Sequence, residues 1–197
     1  MFSPPPIPAW DALHPLIIHF PVALFFVAPV LILAAMFAPR PLSTGFSLGA
    51  LIVMALAAVA TFVAVSTGEA AGEIAERWQP GAEAALERHE ELAETALTVF
   101  TTLTGIFAVL TIVPLLLRKK PVSRVVVAGA FGVFLVFYAP ALMLLANTAH
   151  QGGVLVHEHG VHALLSASQS SPDGAPDFAT SPRNQQPRGG DDDDDDD

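Results

Sequence analysis

The sequence predicts an all-α protein that crosses a membrane four times. Four apolar runs of more than 20 residues each cover residues 16–38, 45–67, 93–117 and 125–147. The runs carry no charged residue apart from Glu94 at the start of the third. About 20 helical residues span the hydrocarbon core of a bilayer, and hydrophobic residues make up 52% of the chain. We therefore expect a four-helix bundle surrounded by a lipid bilayer.

The chain outside the runs divides into a lead-in and a tail. Residues 1–15 form a Pro-rich outer lead-in, and no Lys or Arg precedes Arg40, so the basic start of a secretory signal peptide is missing. Residues 16–165 form the predicted membrane domain. Residues 166–197 are rich in Ser, Pro, Gly, Gln and Asp and end in seven aspartates. This composition buries too little apolar surface to fold, so we expect a disordered acidic tail.

Basic residues in the short connections predict the orientation of the bundle. The first connection, residues 39–44, contains Arg40, and the third, residues 118–124, contains four Lys or Arg; neither contains an acid. The second connection, residues 68–92, contains seven glutamates and two arginines. Because Lys and Arg favour the cytoplasmic side, we expect the first and third connections in the cytoplasm of a bacterial inner membrane. Both termini and the second connection then face the periplasm.

The second connection is expected to be helical rather than irregular. The segments GEAAGEIAERW (68–78) and GAEAALERHEELAETAL (81–97) are rich in Ala and Glu, which favour helix. Pro80 and Gly81 predict a break between them, and the second segment is expected to run directly into the third apolar run. An acidic helical outer loop of this kind is either a solvated cap or a surface for a partner.

Composition excludes several classes of protein and site. The net charge is −10, and seven of the 19 acidic residues form the final aspartate run, so no basic surface for nucleic acid is expected. The chain contains no cysteine. This excludes disulfides, covalently attached c-type haem, iron–sulfur clusters and thiolate zinc sites.

All seven histidines fall on the predicted outer side, at helix ends or in the C-terminal segment. They are His14, His19, His89, His150, His157, His159 and His162. Three of the four helices thus bring imidazole groups to one level of the membrane. Neutral imidazole is a good ligand for iron, copper and zinc. The pattern therefore indicates a site for haem b or another transition metal.

His19 is the leading candidate ligand in the sequence. It lies about one turn inside the first apolar run, where a polar side chain usually faces the bundle interior, and we expect it to pair with His89 or His150. His14 lies five residues earlier, about 140° away around a helix, so we expect it at the rim of the site. Pro15 suits a first helical turn, where a missing N–H costs nothing.

Paired glycines and three further histidines follow the fourth run. Gly152 and Gly153 permit a tight reversal or a close approach of the backbone to a ligand, and we expect the segment after them to fold back over the outer face. A secondary metal site is assigned to His157, His159 and His162. The alternative for every histidine is a structural role, in which the imidazole caps a helix end or bonds a backbone carbonyl.

Four motifs resemble those of the bacterial membrane domain catalogued as domain of unknown function 2231. They are HPLIIHFPVAL (14–24), STGEAAGE (66–73), HEELAE (89–94) and HQGGVLVHEHGV (150–161). The resemblance covers nearly all of the chain except the tail and implies a four-helix membrane protein. The motif positions that it implies are His14, His19, His89, Gly152 and Gly153. Some relatives are joined to cytochrome c domains, which implies a redox setting.

The leading functional hypothesis is electron transfer by a metal at the periplasmic face, with a periplasmic cytochrome or a quinone as partner. One alternative is a transport component for protons or metal ions, although the helices offer few ionisable groups below His19. Another is a non-catalytic assembly subunit whose acidic outer loop binds a partner.

Overall fold

The computed structural model describes residues 8–79, 81–117 and 122–161, and these residues form helices joined by short turns. The α-helices are α1 (His14–Ile17), α2 (His19–Phe37), α3 (Leu42–Trp78), α4 (Glu83–Leu116) and α5 (Arg124–His157). The predicted tail, residues 166–197, and the candidate ligand His162 lie outside the described residues.

Four segments are long and apolar enough to cross a bilayer, which confirms the all-α, four-span architecture. They are His14–Phe37, Leu42–Arg77, Glu83–Leu116 and Arg124–His157. α3 has 37 residues and α4 has 34. At about 1.5 Å per residue, both are far longer than the hydrocarbon core of about 30 Å. Their charged ends at the α3–α4 turn therefore project from the membrane, and the residues of α4 before Ala93 lie outside the membrane-spanning run.

The helices alternate in direction and pack as a four-helix bundle. α2 packs on α3, α3 on α4 and α4 on α5, and α2 also packs on α5. Small side chains on the buried faces let the backbones approach closely. The buried alanines of the spans are Ala28, Ala35, Ala50, Ala57, Ala64, Ala96 and Ala141. Large apolar side chains such as Val59, Phe62 and Met143 are exposed, as expected of a surface that faces lipid.

Six aromatic rings form a continuous chain of contacts inside the bundle, which we call the aromatic column. Its members, in order of contact, are Phe25, Phe100, Tyr138, Phe134, Phe107 and Phe131. Phe25 and Phe100 stack with ring centres 3.9 Å apart. The other successive centres lie 5.1–5.7 Å apart, within the range in which aromatic pairs attract each other. Among the described residues, the buried interior holds no charged side chain.

Pro29 and Tyr138 form one linked feature of the core. Pro29 lies inside α2 and has no N–H, so the carbonyl of Phe25 loses its helical partner. The Tyr138 hydroxyl donates a hydrogen bond to this carbonyl, with an oxygen–oxygen distance of 2.9 Å. The bond joins α5 to α2 and pairs a polar group that would be costly to leave unpaired in a membrane protein interior.

The two ends of the bundle differ in chemistry. The histidine end comprises the starts of α1 and α4 and the ends of α3 and α5; the basic end is the opposite one, where α2 joins α3 and α4 joins α5. Every acidic residue of the described part lies towards the histidine end, whereas Arg40 and Arg124 lie at the basic end. The 3-10 turn Trp10–Ala12 packs on α3 at the histidine end. There α3 and α4 are joined at Gly81, whose φ of 110° favours glycine.

Candidate functional site

His14, the first residue of α1, packs against the backbone of α3. Its Nδ1 lies 2.7 Å from the carbonyl oxygen of Ala64. Because a carbonyl only accepts hydrogen bonds, Nδ1 carries the proton, so the lone pair of a neutral ring would be on Nε2. Gly68, one turn further along α3, makes room for the ring, since a Cβ there would lie 3.0 Å from Nδ1.

His89 makes the equivalent contact between α4 and α5. Its Nδ1 donates to the carbonyl oxygen of Thr148 at 3.1 Å, so the lone pair of the neutral ring would again be on Nε2. Gly152, one turn further along α5, gives the ring its space, since a Cβ there would lie 3.1 Å from Cε1. Each imidazole is thus held by a carbonyl and a glycine of a neighbouring helix.

His14 and His89, which we call the histidine pair, lie next to each other at the histidine end. Their ring centres are 6.3 Å apart and their planes are at 88°. Both side chains are half-buried. Through the two carbonyl bonds, the pair connects α1, α3, α4 and α5 at one place.

The surroundings of the histidine pair favour neutral imidazole at His89. Burial, and after it the neighbouring His14, lower the pKa of His89, and the hydrogen bond to Thr148 opposes the shift. A lowered pKa keeps the ring in the uncharged form that binds metals.

Glu90 follows His89 and is a site residue that sequence reasoning missed. It packs on Gly72 of α3, where an added Cβ would meet its Oε1 at 2.5 Å. Burial, and after it the neighbouring glutamates with Glu76 first, raise the pKa of Glu90. The available signal was the glycine spacing in α3, since Gly68 and Gly72 continue the buried face that includes Ala64.

The predicted placement of His19 is wrong. His19 is exposed, and its Nδ1 donates to the carbonyl of Pro15, one turn earlier in the chain, at 3.0 Å. His150 is also exposed, so neither of the predicted pairings with His19 is formed. His14, expected at the rim, is the residue that meets His89.

Helical phase explains this reversal. The buried residues of α2 recur every three or four positions, at Pro21, Phe25, Ala28, Ile32 and Ala35. Extended towards the N-terminus, this repeat includes His14, which lies seven residues before Pro21, but it does not include His19. In α4, His89 lies seven residues before the buried Ala96.

The predicted chain reversal at Gly152 and Gly153 is also wrong. α5 continues through both glycines to His157. Glycine can adopt helical backbone angles, so two glycines in a row do not by themselves end a helix. Gly152 provides the space for His89, whereas nothing lies within 4 Å of a Cβ added at Gly153. Pro15 lies in the first turn of α1.

The chain turns only after α5, at Gly160. Its φ is 68°, and its carbonyl accepts a hydrogen bond of 2.8 Å from the Gln79 side chain. His157 and His159 of the predicted secondary site are exposed, and the third member of that trio lies outside the described residues.

The histidine pair offers two donors rather than a complete protein cage. Within residues 8–79, 81–117 and 122–161, no group of three or more His, Cys, Asp or Glu side chains is arranged to hold a metal ion. Two imidazole donors fit a metal whose remaining positions are filled by another bound group, as the porphyrin nitrogens do in haem.

Comparison with known families gives a match over most of the chain. A family model described as "Predicted membrane protein (DUF2231)" matches residues 10–164. The matched range contains all four spans, the histidine pair and the three glycines that pack against His14, His89 and Glu90. No curated protein and no solved structure matches significantly.

Proposed function

The chain belongs to the DUF2231 family of predicted membrane proteins, and we propose that it holds haem b or another transition metal between His14 and His89. The observation that carries the proposal is the shared geometry of the two rings. Each donates Nδ1–H to a backbone carbonyl, and this contact orients a histidine ligand and directs Nε2 to a metal.

The spacing of the rings supports the same proposal. Two imidazoles that bind one metal through bonds of about 2.0–2.1 Å must lie next to each other. The centres of His14 and His89 are 6.3 Å apart.

The number of donors favours haem among the metal centres. Haem binds its iron through four porphyrin nitrogens, so two protein donors suffice, and it would supply reversible one-electron chemistry when bound. His14 and His89 would be the two residues that hold it. Gly68 and Gly152 have no Cβ, and this leaves space for the two rings to pack against the helix backbone.

We propose an electron-transfer role for the site, with a periplasmic cytochrome or a quinone as partner. The basic connections favour a cytoplasmic position for the opposite end of the bundle, and the histidine end would then face the periplasm of the inner membrane. The exposed acidic ends of α3 and α4 lie next to the site and would meet a soluble partner first.

Transport is less well supported than metal binding. A path for protons or ions needs polar groups or water through the bundle. The aromatic column fills the described interior between the two ends, and no charged side chain is buried there.

The test is the metal content and absorption spectrum of the full-length protein purified in detergent. We expect about one metal per chain, with a Soret band if the metal is haem. His14→Ala and His89→Ala should each lower the occupancy at least about tenfold, because each removes one of two ligands.

His19→Ala and His150→Ala are the matched controls, since both residues are exposed histidines at the same end. Both variants should keep full occupancy. Wild-type protein without stoichiometric metal would refute the proposal, and so would metal lost from His19→Ala but kept in His14→Ala. A stable protein complex that is unaffected by His14→Ala, in protein that lacks metal, would indicate an assembly subunit instead.

A further inference from the structure

A cavity of about 270 Å³ opens at the basic end, between the ends of α2 and α4 and the starts of α3 and α5. Its polar lining consists of Arg40, Ser43, Thr44, Ser47, Thr111 and Arg124. Apolar side chains, including Phe131 at the end of the aromatic column, complete the wall. The cavity is separate from the histidine pair and takes no part in the proposed metal site.

Thr111 points to a ligand in this cavity. Its side chain is 4% exposed, and its hydroxyl is the buried side-chain polar atom without a hydrogen-bond partner in the described part of the chain. Thr61, Thr104 and Thr148 each donate to the carbonyl four residues earlier. An unpaired hydroxyl in a membrane interior is costly, so a group that enters the cavity and pairs with it would be favoured.

Pro114 adds a second polar group to the same wall. Pro114 lies inside α4 and has no N–H, so the carbonyl of Leu110 loses its helical partner. Both residues line the cavity next to Thr111. A hydroxyl-bearing ligand would satisfy the carbonyl and the threonine together.

Two arginines give the cavity a positive charge. Arg40 donates to the carbonyl of Val122 at 3.1 Å, and Arg124 donates to the carbonyls of Phe37 and Ala38 at 2.9 and 2.7 Å. These bonds fix the guanidinium groups but use only part of their five donors. All acidic residues of the described ranges lie towards the histidine end, so no described carboxylate neutralises these arginines.

We propose that this cavity binds the phosphate headgroup of an anionic phospholipid. Arg40 and Arg124 would bind the phosphate oxygens, which guanidinium groups suit well, and Thr111 with the Leu110 carbonyl would bind a headgroup hydroxyl. Basic pockets between transmembrane helices on the cytoplasmic side commonly hold such headgroups. Apolar side chains adjacent in sequence to lining residues favour a lipid over free phosphate, because Phe37, Leu116 and Val125 are 76%, 76% and 79% exposed and offer apolar surface to acyl chains.

The experiment measures lipid binding to delipidated full-length protein by native mass spectrometry, with phosphatidylglycerol and phosphatidylcholine as probes. Phosphatidylglycerol should bind at least about tenfold more tightly than phosphatidylcholine. The double variant Arg40→Gln with Arg124→Gln should remove most of this preference. Arg77→Gln with Arg88→Gln is the matched control, because both arginines are exposed at the histidine end, and it should keep the preference.

Thr111→Val provides a variant that keeps the shape of the core and both arginines. It should weaken phosphatidylglycerol binding several-fold while the protein stays folded, and the rise in thermal stability on adding the lipid should shrink in parallel. Equal binding of the two lipids by wild-type protein would overturn the proposal, as would an equal loss in the control variant. If inorganic phosphate alone saturated the site and abolished lipid binding, the proposed ligand would be wrong and the site would bind free phosphate.

Discussion

At the scale of single residues, glycine lies opposite three polar side chains of the histidine end. Gly68 faces His14, Gly72 faces Glu90 and Gly152 faces His89. In each case the missing Cβ lets a polar side chain approach the backbone of a neighbouring helix. For His14 and His89, a backbone carbonyl of that helix is the hydrogen-bond acceptor.

Gly152→Ala and Gly153→Ala form a matched pair that tests this role. Alanine in a helix is ordinarily favoured over glycine by roughly 0.5–1 kcal/mol, and Gly153→Ala should show that gain because nothing lies near the added Cβ. Gly152→Ala should push the His89 ring away and weaken its bond to Thr148, which is worth about 1 kcal/mol. We expect the free energies of unfolding to differ by about 1–2 kcal/mol, measured in mixed micelles. Equal values for the two variants would contradict the role assigned to Gly152.

The sequence held enough information to place His14 but not the acceptor carbonyls. A repeat of seven runs from His14 through Pro21 and Ala28 to Ala35, and it predicts one shared face. The position of His19 inside the first apolar run predicted a buried ligand there. Depth in the membrane does not determine which way a side chain points, and this is why the prediction failed. The carbonyls of Ala64 and Thr148 were beyond prediction, because every residue has one and only packing selects the pair that is used.

At the scale of helices, the bond between Tyr138 and the Phe25 carbonyl exists because Pro29 leaves that carbonyl free. We expect Tyr138→Phe to lower the free energy of unfolding by about 0.5–1.5 kcal/mol. In a Pro29→Ala background, the N–H of the new residue would pair with the carbonyl, and the same change should cost less. A double-mutant cycle of unfolding in mixed micelles measures this difference. Additive effects of the two changes would show that the contribution of the bond does not depend on Pro29 leaving the carbonyl free.

The number of membrane-spanning helices was predictable from hydropathy, but hydropathy alone underestimated the lengths of α3 and α4. The apolar runs ended at residue 67 and began again at residue 93, yet α3 continues to Trp78 and α4 starts at Glu83. Hydropathy detects the part of a helix that contacts lipid, and a helix ends where its backbone bonds end. The Ala- and Glu-rich composition predicted helix in the connection, and Pro80 with Gly81 predicted the position of the break.

At the scale of the whole molecule, the orientation that the basic connections predict is open to a direct test. The chain contains no cysteine, so single cysteines can be introduced without background labelling. Glu83 and Pro39 are exposed at the histidine end and the basic end. In intact cells with a permeable outer membrane, an impermeant maleimide should label Glu83→Cys, whereas Pro39→Cys should react only after the inner membrane is opened. The reverse pattern would place the histidine end in the cytoplasm.

The aromatic column has a consequence for how events at the two ends influence each other. Two ligands are linked through a protein only when both bias an element that has two arrangements. The column packs large rings closely against one another, and a hydrocarbon core of about 30 Å separates the two ends. A metal at the histidine pair and a lipid at the basic cavity should therefore bind additively, with a coupling free energy close to zero.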